Sequence, residues 1–96
     1  MYEIKFLPRA EKYIKKLKDK NLKEKLKMAI YKIEENPYIG KLKKGDLSTI
    51  YGFDVFYNKT NYEISYKIYS EKTTVVIILI GTRENFYEEL KKYFNS

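Results

Sequence analysis

The chain has no cysteine and no histidine, and only two prolines and four glycines. Without cysteine and histidine there are no disulfides, no Cys–His or Ser–His nucleophilic pair and no zinc site of the usual kind. The side chain that normally titrates near neutrality is missing as well. Any acid–base chemistry therefore falls to carboxylates, tyrosines, lysines or arginines. Arginine is scarce too: Arg9 and Arg83 stand against eighteen lysines. No apolar run approaches the roughly 18 residues that a membrane helix needs. The first residues, Met1-Tyr2-Glu3-Ile4-Lys5, lack the apolar core of a signal peptide. A cytoplasmic protein with no membrane partner is expected.

What is present points to one basic domain. Residues 1–96 suffice for a single core, since a chain of this size buries roughly 60–70% of its unfolded surface. The hydrophobic fraction of 44% is that of an ordinary folded protein, despite the charge. The net charge of +7 suggests an acidic partner, either nucleic acid or an acidic protein. A Lys-, Glu-, Ile- and Tyr-rich composition also resembles that of heat-adapted proteins, in which case the charge says nothing about partners.

The pattern along the chain reads β-α-α-β-β-β-α. Tyr2, Ile4 and Phe6 alternate with Glu3 and Lys5 as in a strand, and Pro8 ends it and opens a helix. Ala10, Tyr13, Ile14 and Leu17 form one apolar face. Asp19-Lys20-Asn21 breaks the run, with Asn21 as the expected cap of a second helix. That helix carries Leu22, Leu26, Ala29, Ile30 and Ile33, and Asn36-Pro37 ends it. The short link predicts an antiparallel helical hairpin. Positions 38–48 read as a loop with Gly40 and Gly45 as turn residues and Lys41, Lys43 and Lys44 between them. A strand through Phe53, Val55 and Tyr57 is bent at Gly52, and Tyr62, Ile64, Tyr66 and Ile68 give the cleanest alternation. Val75 to Ile80 are six consecutive apolar residues, a buried strand that Gly81 interrupts. A closing helix from about Glu84 to Phe94 presents Phe86, Leu90, Tyr93 and Phe94.

The expected fold is α+β in two layers, a largely antiparallel four-stranded sheet with the helical hairpin packed on one face. The other face is expected to be open, with Glu63, Ser65 and Lys67 turned to solvent. Arg83 stands at the mouth of the most buried strand, where a side chain is held rigidly within reach of a substrate.

The layout and ending of the chain resemble the RelE/ParE toxin superfamily. The residues that carry the resemblance are Tyr62-Glu63-Ile64-Ser65-Tyr66-Lys67-Ile68, then Val75 to Ile80, then Gly81, Arg83 and Tyr87 in the spacing Gly-x-Arg-x-x-x-Tyr. The RelE branch implies a toxin of a type II toxin–antitoxin pair. Such toxins cut messenger RNA in the ribosomal A site without a metal or other cofactor, the ribose 2′-hydroxyl attacking the adjacent phosphate. The implied partners are a small RelB-like antitoxin, the ribosome and mRNA. By the same resemblance Arg83 would stabilise charge on the scissile phosphate, as a planar guanidinium suits it bidentately. Tyr87 would stack on a base or help in proton transfer. Glu63 would serve as a general base or pair with Lys67 or Arg83. Lys41, Lys43, Lys44 and Lys67 are the candidate RNA-binding lysines. Members of this branch often have an arginine where this chain has Glu63, and lysines where it has Gly52 and Asp54. The ParE branch, which inhibits DNA gyrase and cleaves nothing, is the alternative, as is a member of the same fold that only binds its antitoxin.

Overall fold

The chain folds around a five-stranded mixed sheet in the order β1-β5-β4-β3-β2. The structure, a computed structural model, describes residues 1–84 and 86–95, without the side chains of Asp46, Tyr87, Tyr93, Phe94 and Asn95. The elements are β1 (Glu3–Phe6), α1 (Pro8–Lys16), α2 (Lys20–Glu35), β2 (Lys41–Leu42), β3 (Tyr51–Tyr57), β4 (Thr60–Tyr69), β5 (Thr74–Thr82) and α3 (Phe86–Asn95). The α+β class and the helical hairpin agree with the sequence reading. The strand count does not: Lys41–Leu42 adds a fifth strand by pairing with Tyr51 and Gly52. A two-residue strand between lysines and glycines has no alternation to betray it.

Local chemistry explains most of the boundaries. Proline stands in the first turn of α1, where its missing N–H costs nothing. The cap of α2 is Asp19 rather than Asn21: its Oδ1 accepts from the amides of Asn21 at 3.0 Å and Leu22 at 3.1 Å. A carboxylate there satisfies two orphan amides and meets the positive end of the helix dipole. The same oxygen accepts from the Tyr57 hydroxyl at 3.0 Å, tying the helix start to β3. Between β3 and β4, Asn58 and Lys59 both take positive φ (49° and 65°), as the tight two-residue hairpin turn requires.

Strand β1 runs parallel to β5, and the rest of the meander is antiparallel. One face packs against α1 and α2. Ala10, Leu26, Ile33, Ile64, Tyr66, Val75 and Ile77 are fully enclosed there. The opposite face is not open. Leu47, Ile50, Ile78, Leu79, Phe86 and Leu90 make a second, smaller core, because α3 and the segment before β3 cover the middle of the sheet. Glu63 and Ser65, expected in solvent, are buried beneath this cover, at 2% and 0% exposure.

A bulge sets which residues reach which core. Ser65 pairs with Leu79 but Tyr66 pairs with Ile77, which leaves Ile78 as an extra residue on β5. Strict alternation would place Ile80 on the face away from α1 and α2. The extra residue reverses the parity. Ile80 therefore joins Val75 and Ile77 on the helix side, while Ile78 and Leu79 both join the smaller core. Among the described residues no helix is long and apolar enough to cross a membrane.

Candidate functional site

The sequence singled out Arg83, Tyr87, Glu63, Lys41, Lys43, Lys44 and Lys67. The fold brings five of them together. Lys41, Lys43, Lys44, Glu63 and Arg83 line one cavity of about 290 Å³ with Leu42, Gly52 and Asp54. It opens on the sheet face away from α1 and α2, beside α3.

The strand register builds the floor. Asp54 lies directly opposite Glu63, and Glu63 directly opposite Gly81. Two carboxylates facing each other across neighbouring strands repel. Two cations resolve the conflict. Lys43 Nζ lies 2.6 Å from Glu63 Oε2, and Arg83 Nη1 lies 3.0 Å from Asp54 Oδ2. Arg83 Nε also approaches Glu63 Oε1, at 3.9 Å. Among the described residues, four cations (Lys41, Lys43, Lys44 and Arg83) line the cavity against two carboxylates, so it remains positive.

The two pairs are physically different. Lys43 and Glu63 are largely enclosed, with side-chain exposures of 14% and 3%. A carboxylate in that position would be very costly without a partner, and breaking such a pair costs about 3–5 kcal/mol. Ser65 Oγ donates a longer bond, 3.4 Å, to the same Glu63 oxygen. The Lys43 ammonium also lies 5.8 Å from the centre of the Phe86 ring at the start of α3. Arg83 and Asp54 are open to solvent, at 58% and 41%, so their pair contributes little to stability. It still orients the guanidinium and leaves other N–H groups for an incoming anion.

Two backbone anchors fix the cations. The Arg83 amide donates to the Asn61 carbonyl at 2.9 Å, which locks the chain just past β5. The Lys43 amide donates to the Ile50 carbonyl at 2.8 Å, which closes the lysine-bearing loop. A third post holds the loop from below. The buried Tyr66 hydroxyl donates to the Pro37 carbonyl at 2.7 Å and accepts from the Gly40 amide at 3.0 Å. Burial pushes the Tyr66 hydroxyl up to about 12, helped by nearby Tyr51 and opposed by the Gly40 amide. A Cβ at Gly40 would overlap that hydroxyl, so the close approach of loop and ring depends on glycine.

The remaining two candidates stand apart from this geometry. Tyr87 lies on α3, and its side chain is outside the described residues. Lys67 is four residues beyond Glu63 on β4, about 13 Å along the strand. Its ammonium sits 5.1 Å over the Tyr69 ring, in a separate hollow of about 460 Å³ shared with Lys5 and Lys72. Among the described residues no three His, Cys, Asp or Glu side chains gather as a metal site would require.

The expected partners of Glu63 are Lys67 and Arg83, whereas its nearest cation is Lys43. Gly52 is expected to bend its strand. Gly52 instead makes room: a Cβ there would lie 2.8 Å from Glu63 Oε2 and 3.2 Å from Lys43 Nζ. The available signal was a glycine and a serine, positions 52 and 65, flanking a lone glutamate on adjacent predicted strands.

The family described as "ParE-like toxin of type II bacterial toxin-antitoxin system" matches residues 4–91. No curated protein matches the chain in sequence. Among solved structures, the isolated RelE toxin of E. coli is 28% identical, with 98% of this chain and 99% of that one covered and a TM-score of 0.70. The toxin chain in the intact E. coli RelBE toxin–antitoxin complex is 27% identical, with coverages of 84% and 95% and a TM-score of 0.70. In the RelBE2 toxin–antitoxin complex of Mycobacterium tuberculosis the figures are 28% identity, 85% and 91% coverage, and a TM-score of 0.66.

Proposed function

The chain belongs to the family of ParE-like toxins of type II bacterial toxin–antitoxin systems, and from that premise we propose that it is a RelE-like toxin that cuts messenger RNA on the ribosome. The observation that carries this reading is the cavity lined by Arg83 and Lys43, each held by a carboxylate, together with the exposed Lys41 and Lys44. Cations held around one small volume suit a phosphodiester whose charge grows in the transition state. The solved structures of similar fold include toxin–antitoxin complexes. A small antitoxin is accordingly the proposed resting partner, with acidic residues to match the +7 net charge.

The chemistry follows from the residues. The ribose 2′-oxygen attacks the adjacent phosphorus and the bond to the 5′-oxygen breaks. A 2′,3′-cyclic phosphate and a 5′-hydroxyl result. One proton leaves the 2′-oxygen and one reaches the 5′-oxygen. Arg83 holds a non-bridging oxygen, its guanidinium already oriented by Asp54. Lys43 supplies a second fixed charge. The half-exposed carboxylate of Asp54 is the one that a substrate hydroxyl can meet, whereas Glu63 lies under Lys43. Tyr87 retains its proposed place as a stacking or proton-transfer group, and Lys41 and Lys44 grip neighbouring phosphates.

The test is cleavage of mRNA on programmed ribosomes by purified protein. Arg83→Ala should slow cutting by about 10²–10³-fold, as loss of one preorganised donor to developing negative charge does, and should abolish growth arrest on expression. Undiminished cleavage by Arg83→Ala would sink the assignment. One observation favours the non-nuclease alternative: Asp54 already neutralises Arg83. Wild-type protein that inhibits gyrase and leaves ribosome-bound mRNA intact would establish that alternative.

A further inference from the structure

We infer that Glu63 is a positioning residue: it holds the Lys43 ammonium at the wall of the cavity as a second fixed cation for phosphate. The inference rests on the phosphate-directed reading of the site. A buried carboxylate in a site meant for an anion looks misplaced. Its surroundings show what it does.

Glu63 is reached through Lys43. The carboxylate is 3% exposed, and Lys43 Nζ sits on it at 2.6 Å. Gly52 is cut back so that the pair can form, since a Cβ there would press on Glu63 Oε2 at 2.8 Å and on Lys43 Nζ at 3.2 Å. The ammonium also lies over the Phe86 ring, 5.8 Å from the centroid. Lys43 directly follows β2, and its neighbouring lysines, Lys41 in that strand and Lys44 after it, are exposed. Exposed lysines sample many rotamers and act as diffuse charge. Lys43 has its ammonium on a carboxylate and over a ring, with 14% of its side chain still open. A charge fixed before the substrate arrives needs no reorganisation when it acts. Glu63 Oε1 also lies 3.9 Å from Arg83 Nε, so one carboxylate sets the spacing of both cations.

The expected effect of removing the carboxylate runs against net charge. Glu63→Gln keeps the shape and makes the protein more positive by one charge. Ordinary electrostatics then predicts tighter RNA binding. If Glu63 positions Lys43, binding weakens. The measurement is fluorescence anisotropy with a short fluorescein-labelled single-stranded RNA at low salt, and thermal melting checks that each variant is folded. Glu63→Gln should bind about 10-fold more weakly than wild type, by the same factor as Lys43→Ala, and the double variant should be no weaker than either single. Gly52→Ala changes no charge and displaces the pair, so it should weaken binding in the same direction. Affinity of Glu63→Gln equal to or above wild type overturns the inference. So does full additivity with Lys43→Ala or, where Glu63→Gln does not fold, wild-type affinity in Gly52→Ala. Cleavage on programmed ribosomes is read in parallel: a protein that shows this binding pattern and cuts nothing refutes the nuclease reading and leaves the role of Glu63 standing.

Discussion

Replacing Gly52 with alanine puts the packing around Glu63 to a test that needs no assay of activity. The added Cβ would sit 2.8 Å from Glu63 Oε2, where ordinary contact begins at 3.4 Å, so the carboxylate must retreat by about 0.6 Å. A glutamate tip usually moves at little cost. This one is enclosed and held by Lys43 at 2.6 Å, so retreat strains a buried ion pair. Breaking the pair outright costs about 3–5 kcal/mol, and stretching it costs roughly 1–2 kcal/mol. Alanine returns about 0.5–1 kcal/mol by restricting the unfolded chain. The net expectation is a loss of about 1 kcal/mol, or a fall in Tm of roughly 4–8 °C for a domain of this size. The sign should reverse once the carboxylate is gone. In a Glu63→Ala background, Gly52→Ala should raise stability by about 0.5–1 kcal/mol, because the carboxylate is gone, the Lys43 ammonium at 3.2 Å ends a flexible side chain that can give way, and the chain-entropy gain then dominates. Urea unfolding of the four proteins, with m-values unchanged, measures this coupling. Gly52→Ala that melts at or above wild type, or that costs the same in both backgrounds, would refute the reasoning.

Other expectations follow from the same geometry. Tyr66 ionises near 10 in an unfolded chain and near 12 in the fold, so the unfolded chain gives up this proton first as pH rises. Its contribution is intact below pH 10 and is lost on the way to pH 12, by up to roughly 2–3 kcal/mol; equilibrium unfolding at a series of alkaline pH values should show the decline. Tyr66→Phe should make that decline shallower, leaving the part that Tyr2, Tyr13 and Tyr57, also raised, contribute, and should cost about 1–3 kcal/mol at neutral pH, because the Pro37 carbonyl and Gly40 amide lose their buried partner; an unchanged alkaline slope would contradict the assignment. Asp19→Ala should cost about 1 kcal/mol through loss of the α2 cap, with Asp19→Asn recovering most of it, as followed by thermal melting.

Elements whose pattern is local were legible in the sequence, and those that depend on a distant partner were not. The alternation of Tyr62, Ile64, Tyr66 and Ile68 fixes the two faces of β4 wherever that strand lies. The apolar stripes of α1 and α2 do the same for the helical hairpin. One expectation close to local pattern still fails. Asp19 caps α2 in place of Asn21, because helix starts shift by a residue or two and either side chain can accept.

From the sequence alone come the absence of cysteine and histidine, the basic balance, the order of the three helices and the four longer strands, and the place of Arg83 at the end of an apolar strand. Each depends only on residue identity or on near neighbours. The tertiary structure alone decides that Lys41–Leu42 is a strand, that Ile78 bulges, and that α3 closes over part of the sheet face that alternation leaves open. It alone pairs Lys43 with Glu63 and Arg83 with Asp54. Those partners are 20 and 29 positions apart in sequence, and no short-range rule connects them. Register and cover bring them within reach, and once there a buried carboxylate has to be neutralised by the nearest cation.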